Sequence, residues 1–418
     1  MFLTNADTPI LNAVRAGIDG VAPKRLGIAV SGGSDSTALM HALHACFGDT
    51  AALFAATVDH GLRPEAAAEA AAVSDDAGRL NISHKTLVWR GWDGSGNLQD
   101  QARRARRTLL ARWARENHLD AVALGHTADD QAETVLMRLA RSAGVDGLAG
   151  MPPVTRVEGI RFVRPLLALS RADLRDYLRR HGIGWCEDPS NADDRFDRVK
   201  MRRAMSSLSA AGITVQTLND VAKNMAMARA GLDACTGEAA RRIAQIDGGD
   251  VILDAGGLAE LPGEIARRLV LRSLMWVSGA EYAPRRDPMA SLLGTIRTGG
   301  SATLSGCIIV TRRNETRIAR EYNAVRDTVC ATGQIWDGRW RVSGRDSKGL
   351  EVRTLGEAGL RNCPDWRETG RPKASLLAAP SVWQGNDLVA APLAGLANGW
   401  DAAPLGGDEG YFSAIISH

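Results

Sequence analysis

Lysine is nearly missing from this 418-residue chain: 6 lysines stand against 45 arginines. The skew runs through the whole sequence, so an arginine-rich stretch must be discounted before it is read as a nucleic-acid footprint. Net charge adds nothing, because 51 basic against 48 acidic residues leave only +3. Cysteines are few and scattered. Cys46, Cys186, Cys235, Cys307, Cys330 and Cys363 form no CxxC pair and no zinc spacing, which excludes a disulfide scaffold and a zinc module and fits a reducing compartment. No stretch of roughly 18 residues lacks a charge, so no transmembrane helix and no membrane partner are expected. The opening MFLTNADTPI has no basic n-region and already carries Asp7; no secretory signal is expected, and the expected location is cytoplasmic. What remains, 45% hydrophobic and 24% charged, is the composition of a globular chain. At roughly 150 residues per domain it should form two or three domains.

The first half alternates. Apolar runs at 26–30, 51–59, 82–88 and 121–125 predict buried strands. Stretches at 37–47, 64–80, 98–118 and 127–141 predict helices, with Pro64 in a first turn and Thr127 as a cap. The expected fold class is α/β: an open, mostly parallel sheet with helices on both faces and right-handed crossovers. A helix at 171–181, a polar loop at 185–195, a helix at 198–208 and a long Ala- and Met-rich helix at 217–245 follow. Helices at 264–277 and 288–298 and a hairpin over 302–320 come next. The Gly/Pro-rich end offers strand candidates at 334–342, 351–355 and 388–391. The expected organisation is a nucleotide-binding α/β domain at 1–212, a mainly helical middle domain with a hairpin at 213–322, and a small β-rich domain at 323–418.

Ser31-Gly32-Gly33-Ser34-Asp35-Ser36 lies directly between the first strand and the first helix. Two glycines let the backbone turn tightly and bring N–H groups to a ligand, and the helix behind them adds its positive end. Serine hydroxyls add donors. The loop lacks the lysine of GxxxxGK[ST] and the spacing of GxGxxG, so it is neither a Walker A nor a dinucleotide loop. Asp35 would repel a phosphate unless a cation such as Mg²⁺ intervened.

Three further stretches stand at strand ends or loops: Val58-Asp59-His60-Gly61-Leu62-Arg63-Pro64, Leu124-Gly125-His126-Thr127-Ala128-Asp129-Asp130-Gln131-Ala132-Glu133-Thr134, and Glu187-Asp188-Pro189-Ser190-Asn191 with Arg195-Phe196-Asp197-Arg198. His126, Asp130 and Glu133 are spaced i, i+4, i+7, which places them on one helical face. Such carboxylates can hold a metal, orient a nucleophile, or only satisfy a helix dipole. Two arginine clusters, 103–115 and 195–203, read singly as solvated helix faces; together, beside a phosphate loop, they point to a polyanion.

The loop resembles the SGGxDS signature of the PP-loop ATP pyrophosphatases, and the four ordered motifs together resemble the tRNA(Ile)-lysidine synthases over about the first 205 residues. The resemblance implies that ATP adenylates the oxygen at ring position 2 of the wobble cytidine of a CAU-anticodon tRNA(Ile). The ε-amine of free L-lysine then displaces AMP. It implies ATP and Mg²⁺ at Asp35, nucleotide contacts from Ser31, Gly32, Gly33, Ser34, Ser36, His60 and Arg63, and a place for His126 near the nucleotide. Asp130 and Glu133 are then expected to bind or deprotonate the lysine ammonium, and Arg195, Arg198 and Arg202 to contact tRNA phosphates. Arg353, Arg371 and Lys373 are candidate tRNA contacts in the later domains, and the protein would act as a monomer or a homodimer. The rivals are a tRNA thiolase, which commonly needs the paired cysteines this chain lacks, and a non-catalytic tRNA-binding protein, which would be expected to lose Asp35 or the His126–Glu133 face.

Overall fold

The computed structural model describes residues 4–19, 23–61, 65–92, 98–187, 197–280, 282–345 and 349–416. Its contacts divide the chain into two compact units, Met1–Arg229 and Ala230–His418.

The first unit runs α1 (Thr8–Asp19), β1 (Arg25–Ala29), α2 (Ser34–Phe47), β2 (Ala52–Asp59), α3 (Ala66–Arg79), β3 (Ser83–Val88), α4 (Leu98–Glu116), β4 (Ala121–Leu124), α5 (Ala128–Leu139), α6 (Val145–Leu148), β5 (Val154–Val157), β6 (Ile160–Val163), α7 (Arg171–Arg180), α8 (Asp197–Ala210) and the first half of α9 (Val215–Ile243). The sheet order is β3-β2-β1-β4-β6-β5, parallel throughout except for β5 at the edge. The mostly parallel α/β fold is as expected. β4 is wholly buried and β1 nearly so, and such strands must be apolar on both sides. One face packs Leu26 and Ile28 under Val14, Leu39, Leu43 and Tyr177; the other packs Ala29, Val122 and Phe162 against Leu110 and Trp113. The order reverses between β1 and β4. A crevice therefore opens outside their carboxyl ends, flanked by the loops that carry the first and third motifs.

Two local readings change. α2 starts at Ser34, not at residue 37, because its first turn is built from the polar Ser34, Asp35 and Ser36 that carry no apolar periodicity. The β5–β6 hairpin is absent from the sequence reading because its four-residue strands, VTRV and IRFV, alternate with arginine at the sheet edge. Pro64, expected in the first turn of α3, lies outside the described residues.

The amino end is anchored by a buried carboxylate. Asp7 is fully enclosed. It accepts from the Thr4 backbone N–H at 2.8 Å, the Thr4 hydroxyl at 2.9 Å, Arg180 Nη2 at 2.9 Å and His181 Nε2 at 3.1 Å. Burial alone would raise its pKa, but these bonds outweigh burial and bring it down to about 2 from 3.8. A depressed folded pKa contributes stability above the unfolded value and loses it as pH falls toward the folded one, so this contribution of about 2 kcal/mol fades between about pH 4 and pH 2. Asp7→Asn should lower the melting temperature of the first unit by roughly 5 °C at pH 7. The gap from wild type should close in melts near pH 2; an unchanged gap would refute the assignment.

In the second unit the expected hairpin is the centre of a larger sheet. β7 (Ala244–Asp247), β8 (Asp250–Asp254), β9 (Ser301–Leu304), β10 (Cys307–Arg312) and β11 (Glu315–Arg320) form an antiparallel sheet in the order β7-β8-β11-β10-β9. Helices at Gly263–Ser278 and Arg286–Arg297 cover it through Leu269, Leu274, Leu292 and Ile296. The C-terminal part is β-rich as expected, with one four-stranded and one three-stranded antiparallel sheet. The single strand read at 334–342 is instead two, Ile335–Trp336 and Trp340–Ser343, paired across a turn. Asp337 and Gly338 take φ of 48° and 65° there, a left-handed pair that reverses the chain. Arg371 donates to Asp247 and the Leu393 carbonyl, Lys373 pairs with Glu357 at 2.8 Å, and Arg353 bonds the Gly385 carbonyl and Glu351. The three residues named as tRNA candidates in the later domains thus hold partners within the second unit.

Candidate active site

The phosphate loop is rigid for local reasons. Gly32 has φ of +84°, a conformation that costs a side-chain-bearing residue strain. Gly33 is the N-cap of α2. The Ser36 hydroxyl donates to the Gly33 carbonyl at 3.1 Å and accepts from the Ser31 N–H at 3.1 Å. The Cys186 N–H donates to the Gly32 carbonyl at 2.8 Å, tying a distant segment to the turn. Gly125, at the end of β4, approaches so closely that a Cβ would lie 3.0 Å from the Ser36 backbone N and Cα. Those atoms are backbone and cannot swing aside. Gly125→Ala should therefore displace the loop and lower kcat/KM for ATP ten- to hundredfold, since small misplacements at a reacting centre carry such penalties. The unfolding midpoint should move by only a few degrees; full activity in a folded variant would refute the close approach.

Four acids meet one arginine that the sequence reading did not single out. Arg171 Nε donates to Asp35 Oδ2 at 3.0 Å and Nη2 to Asp130 Oδ1 at 3.2 Å; Nη1 lies 3.7 Å from Glu133 Oε1. Its backbone N–H donates to Asp129 Oδ2 at 2.7 Å. Arg171 is the first residue of α7, where Ser170 and Asp173 form a capping box. That S-x-x-D signature was the available signal for its position. Thr127 caps α5 as expected, and the Thr127 N–H and hydroxyl donate to Asp130 Oδ2 at 2.9 and 3.0 Å. Burial raises the Asp35 carboxyl, with Arg171 and Ser34 pulling the other way. At Asp130 burial is outweighed by Arg171 and the Thr127 N–H, and the carboxyl is held low.

A cleft of about 910 Å³ joins these groups. The loop residues Ser31, Gly33, Ser34, Asp35 and Ser36 line it, as do His60, His126 and Asp130. Arg198 and Arg202 reach it from α8. Glu133 does not: its side chain is only 3% exposed and stands behind the wall, where Oε1 receives Arg202 Nε at 3.0 Å. The i, i+4, i+7 spacing is also not purely helical, because α5 begins after His126. Burial pushes His126 down to about 3, helped by Arg164, Arg106 and Arg198 against the pull of Asp130, and burial lowers His60 as well. Both histidines are neutral near pH 7. Arg63 and Arg195 lie outside the described residues.

Residues 6–208 match the family model described as a PP-loop domain. The tRNA(Ile)-lysidine synthase of Ruegeria pomeroyi is 53% identical over 420 residues, covering 100% of both chains. That of Mesorhizobium japonicum is 39% identical over 391 residues, 90% of this chain and 85% of the relative. Among solved structures, a U34-tRNA thiolase from Methanococcus maripaludis aligns with 53% of this chain and 80% of its own at 17% identity, with a TM-score of 0.47. With full-length identity of 53% to a lysidine synthase and the PP-loop domain in place, the chain belongs to the tRNA(Ile)-lysidine synthase family.

Proposed function

We propose that this protein ligates free L-lysine to ring position 2 of the wobble cytidine in CAU-anticodon tRNA(Ile), using ATP. The observation that carries the reading is that an anion cradle and a carboxylate wall share one cleft, Ser31–Ser36 on one side and Asp130 on the other. The cradle suits a phosphate and the wall suits an ammonium, which are the two charged groups the reaction must bring to one base.

The loop N–H groups, the α2 N-terminus and the hydroxyls of Ser31 and Ser34 hold the nucleotide, with His60 beside it. The loop offers a single carboxylate, Asp35, and no group of three His, Cys, Asp or Glu among the described residues is arranged to hold a metal. That donor set fits Mg²⁺, which is commonly bound by one or two carboxylates and shared with substrate phosphates. Bound there, Mg²⁺ would neutralise charge on the α-phosphate and the departing pyrophosphate. The cytidine oxygen attacks the α-phosphate and pyrophosphate leaves. The lysine amine, after losing a proton, attacks the adjacent ring carbon and AMP leaves. Asp130 faces the cleft and is held ionised, so it orients the ammonium and assists its deprotonation. Glu133, behind the wall, sets the positions of Arg171 and Arg202. His126, being neutral, serves as a hydrogen-bonding group beside the base or nucleotide.

The test is mass spectrometry of nucleosides from tRNA(Ile) incubated with protein, Mg²⁺, ATP and lysine. Lysidine formation with one AMP per modified base is expected. AMP release that needs a sulfur donor instead of lysine would favour a thiolase, and absence of ATP turnover a binding protein.

A further inference from the structure

The reaction proposed above needs a cytosine that has left its neighbours in an anticodon loop, and proteins commonly hold an unstacked base on an aromatic face. Of the described residues lining the cleft, Trp185 alone is a Trp, Tyr or Phe. The two histidines there are poor substitutes. His60 is engaged edge-to-face with Trp89 at 5.8 Å. The Nδ1 atoms of His60 and His126 are buried without a hydrogen-bond partner among the described residues, which suits each ring to bonding through its edge.

Trp185 reaches the cleft on the chain that follows α7. The Ile183 N–H donates to the Leu178 carbonyl at 2.9 Å, turning the chain back over the end of that helix. Ile183 and Trp185 then pack partly against the core that holds Leu39, Leu43 and Tyr177. The next residue, Cys186, donates its N–H to the Gly32 carbonyl at 2.8 Å, and its Sγ lies 3.6 Å from where a Cβ on Gly32 would stand. Arg175 supplies a second tie. Its guanidinium lies 6.0 Å from the Trp185 ring centroid, with Nε 3.5 Å from the Ser34 hydroxyl. The indole is thus fixed beside the phosphate loop.

Packing alone does not account for the residue. Tryptophans committed to a core in this chain are enclosed: Trp113, Trp336 and Trp340 are 2%, 0% and 4% exposed. Trp185 is only half-buried, and it borders the cleft. Its position also separates two bases. The adenine of ATP is joined to the α-phosphate through a ribose and stands off from the cradle by that sugar. The cytosine must bring its own ring oxygen to the α-phosphate, so its ring lies against the cradle, where Trp185 is tethered.

We propose that Trp185 stacks on the wobble cytosine and holds its ring in place for adenylation. The assignment rests on the reading above that a cytidine enters this cleft. The stack supplies neither charge nor proton; it offsets the loss of stacking in the loop and fixes the plane of the ring.

The experiment uses full-length Trp185→Leu and Trp185→Phe. Pyrophosphate release is followed with lysine omitted, and equilibrium affinity is measured for Mg–ATP and for a tRNA(Ile) whose wobble nucleotide is abasic. In the Leu variant kcat/KM for tRNA(Ile) should fall by about five- to a hundredfold, the range of one base–aromatic stack. The Phe variant should recover most of the loss. Mg–ATP affinity should hold, and the abasic tRNA should bind wild type and Leu variant equally. A Leu variant within about twofold of wild type would overturn the proposal. So would a loss of Mg–ATP affinity, which would place the ring at the adenine, or an equal loss with the abasic tRNA, which would make Trp185 a shaper of the wall. Wild-type protein gives a test that needs no variant to fold: tRNA(Ile) carrying 5-iodocytidine at the wobble position should crosslink under light to the peptide containing Trp185, and a crosslink confined to other peptides would refute the stack. Wild-type lysidine formation is scored in parallel. Its failure sinks the functional reading, whereas unaffected variants beside an active wild type sink only this assignment.

Discussion

Asp35→Asn should all but abolish pyrophosphate release, by roughly a thousandfold in kcat, while the protein stays folded. The substitution preserves shape. The amide oxygen can still accept from Arg171, and the amide nitrogen can donate to the Ser34 hydroxyl, which in the wild type donates to the other carboxylate oxygen at 2.9 Å. Burial already disfavours the charge at this position, so a neutral side chain should cost the fold little, and Arg171 keeps Asp130. What disappears is the one negative charge on the loop. On the proposed assignment it holds the cation that offsets charge building on the α-phosphate and leaving group, and interactions of that kind typically carry factors of a hundred to a thousand. The measurement is pyrophosphate release with tRNA(Ile) present and lysine omitted, which isolates the adenylation half. Raising Mg²⁺ should recover only a small part. Turnover within about tenfold of wild type, in a protein melting within a few degrees, would remove Asp35 from the nucleotide chemistry.

The parts of the site legible in sequence are those fixed by neighbours in the chain. Gly32 and Gly33 between an apolar strand and a helix can form little other than an anion turn, and Thr127 followed three residues later by Asp130 announces a cap. Alternation of apolar strands and helices was enough for a mostly parallel sheet, but its strand order rests on long-range pairing that only the fold shows. Arg171 was not legible by the same route. Its contact with Asp35 spans 136 residues and its contact with Asp130 spans 41, so no local period connects them. The place of Glu133 was misjudged for a related reason. Helical spacing says which residues share a face but not what stands in front of that face, and here Arg171 and Arg202 do. Sorting the arginines likewise required the fold. Arg104 and Arg106 are two residues apart on one helix, yet one is neutralised by its own helix and the other faces the cleft.

Asp130→Asn should separate the two half-reactions. Its Oδ2 accepts from the Thr127 N–H and hydroxyl, and its Oδ1 accepts from Arg171. An asparagine can satisfy one side with its oxygen but must turn its amide toward the other, where a donor already stands. The lost cap and the misplaced donor should lower stability by about 1–3 kcal/mol, which a thermal melt would show as a shift of a few degrees. The chemical effect should be larger. With the charge gone, the wall loses the group assigned to the lysine ammonium, while the phosphate loop and Asp35 remain. Pyrophosphate release should then proceed as a burst of about one equivalent per enzyme-bound tRNA, and AMP release and lysidine should fall by roughly a hundred- to a thousandfold. The adenylated tRNA should accumulate and be detectable by its mass. High lysine should rescue part of the rate if Asp130 mainly binds the amine, and raising pH should rescue it if Asp130 mainly removes the proton. Equal loss of pyrophosphate and AMP release would assign Asp130 to the adenylation half, beside Asp35, and leave the amine without a carboxylate in the cleft.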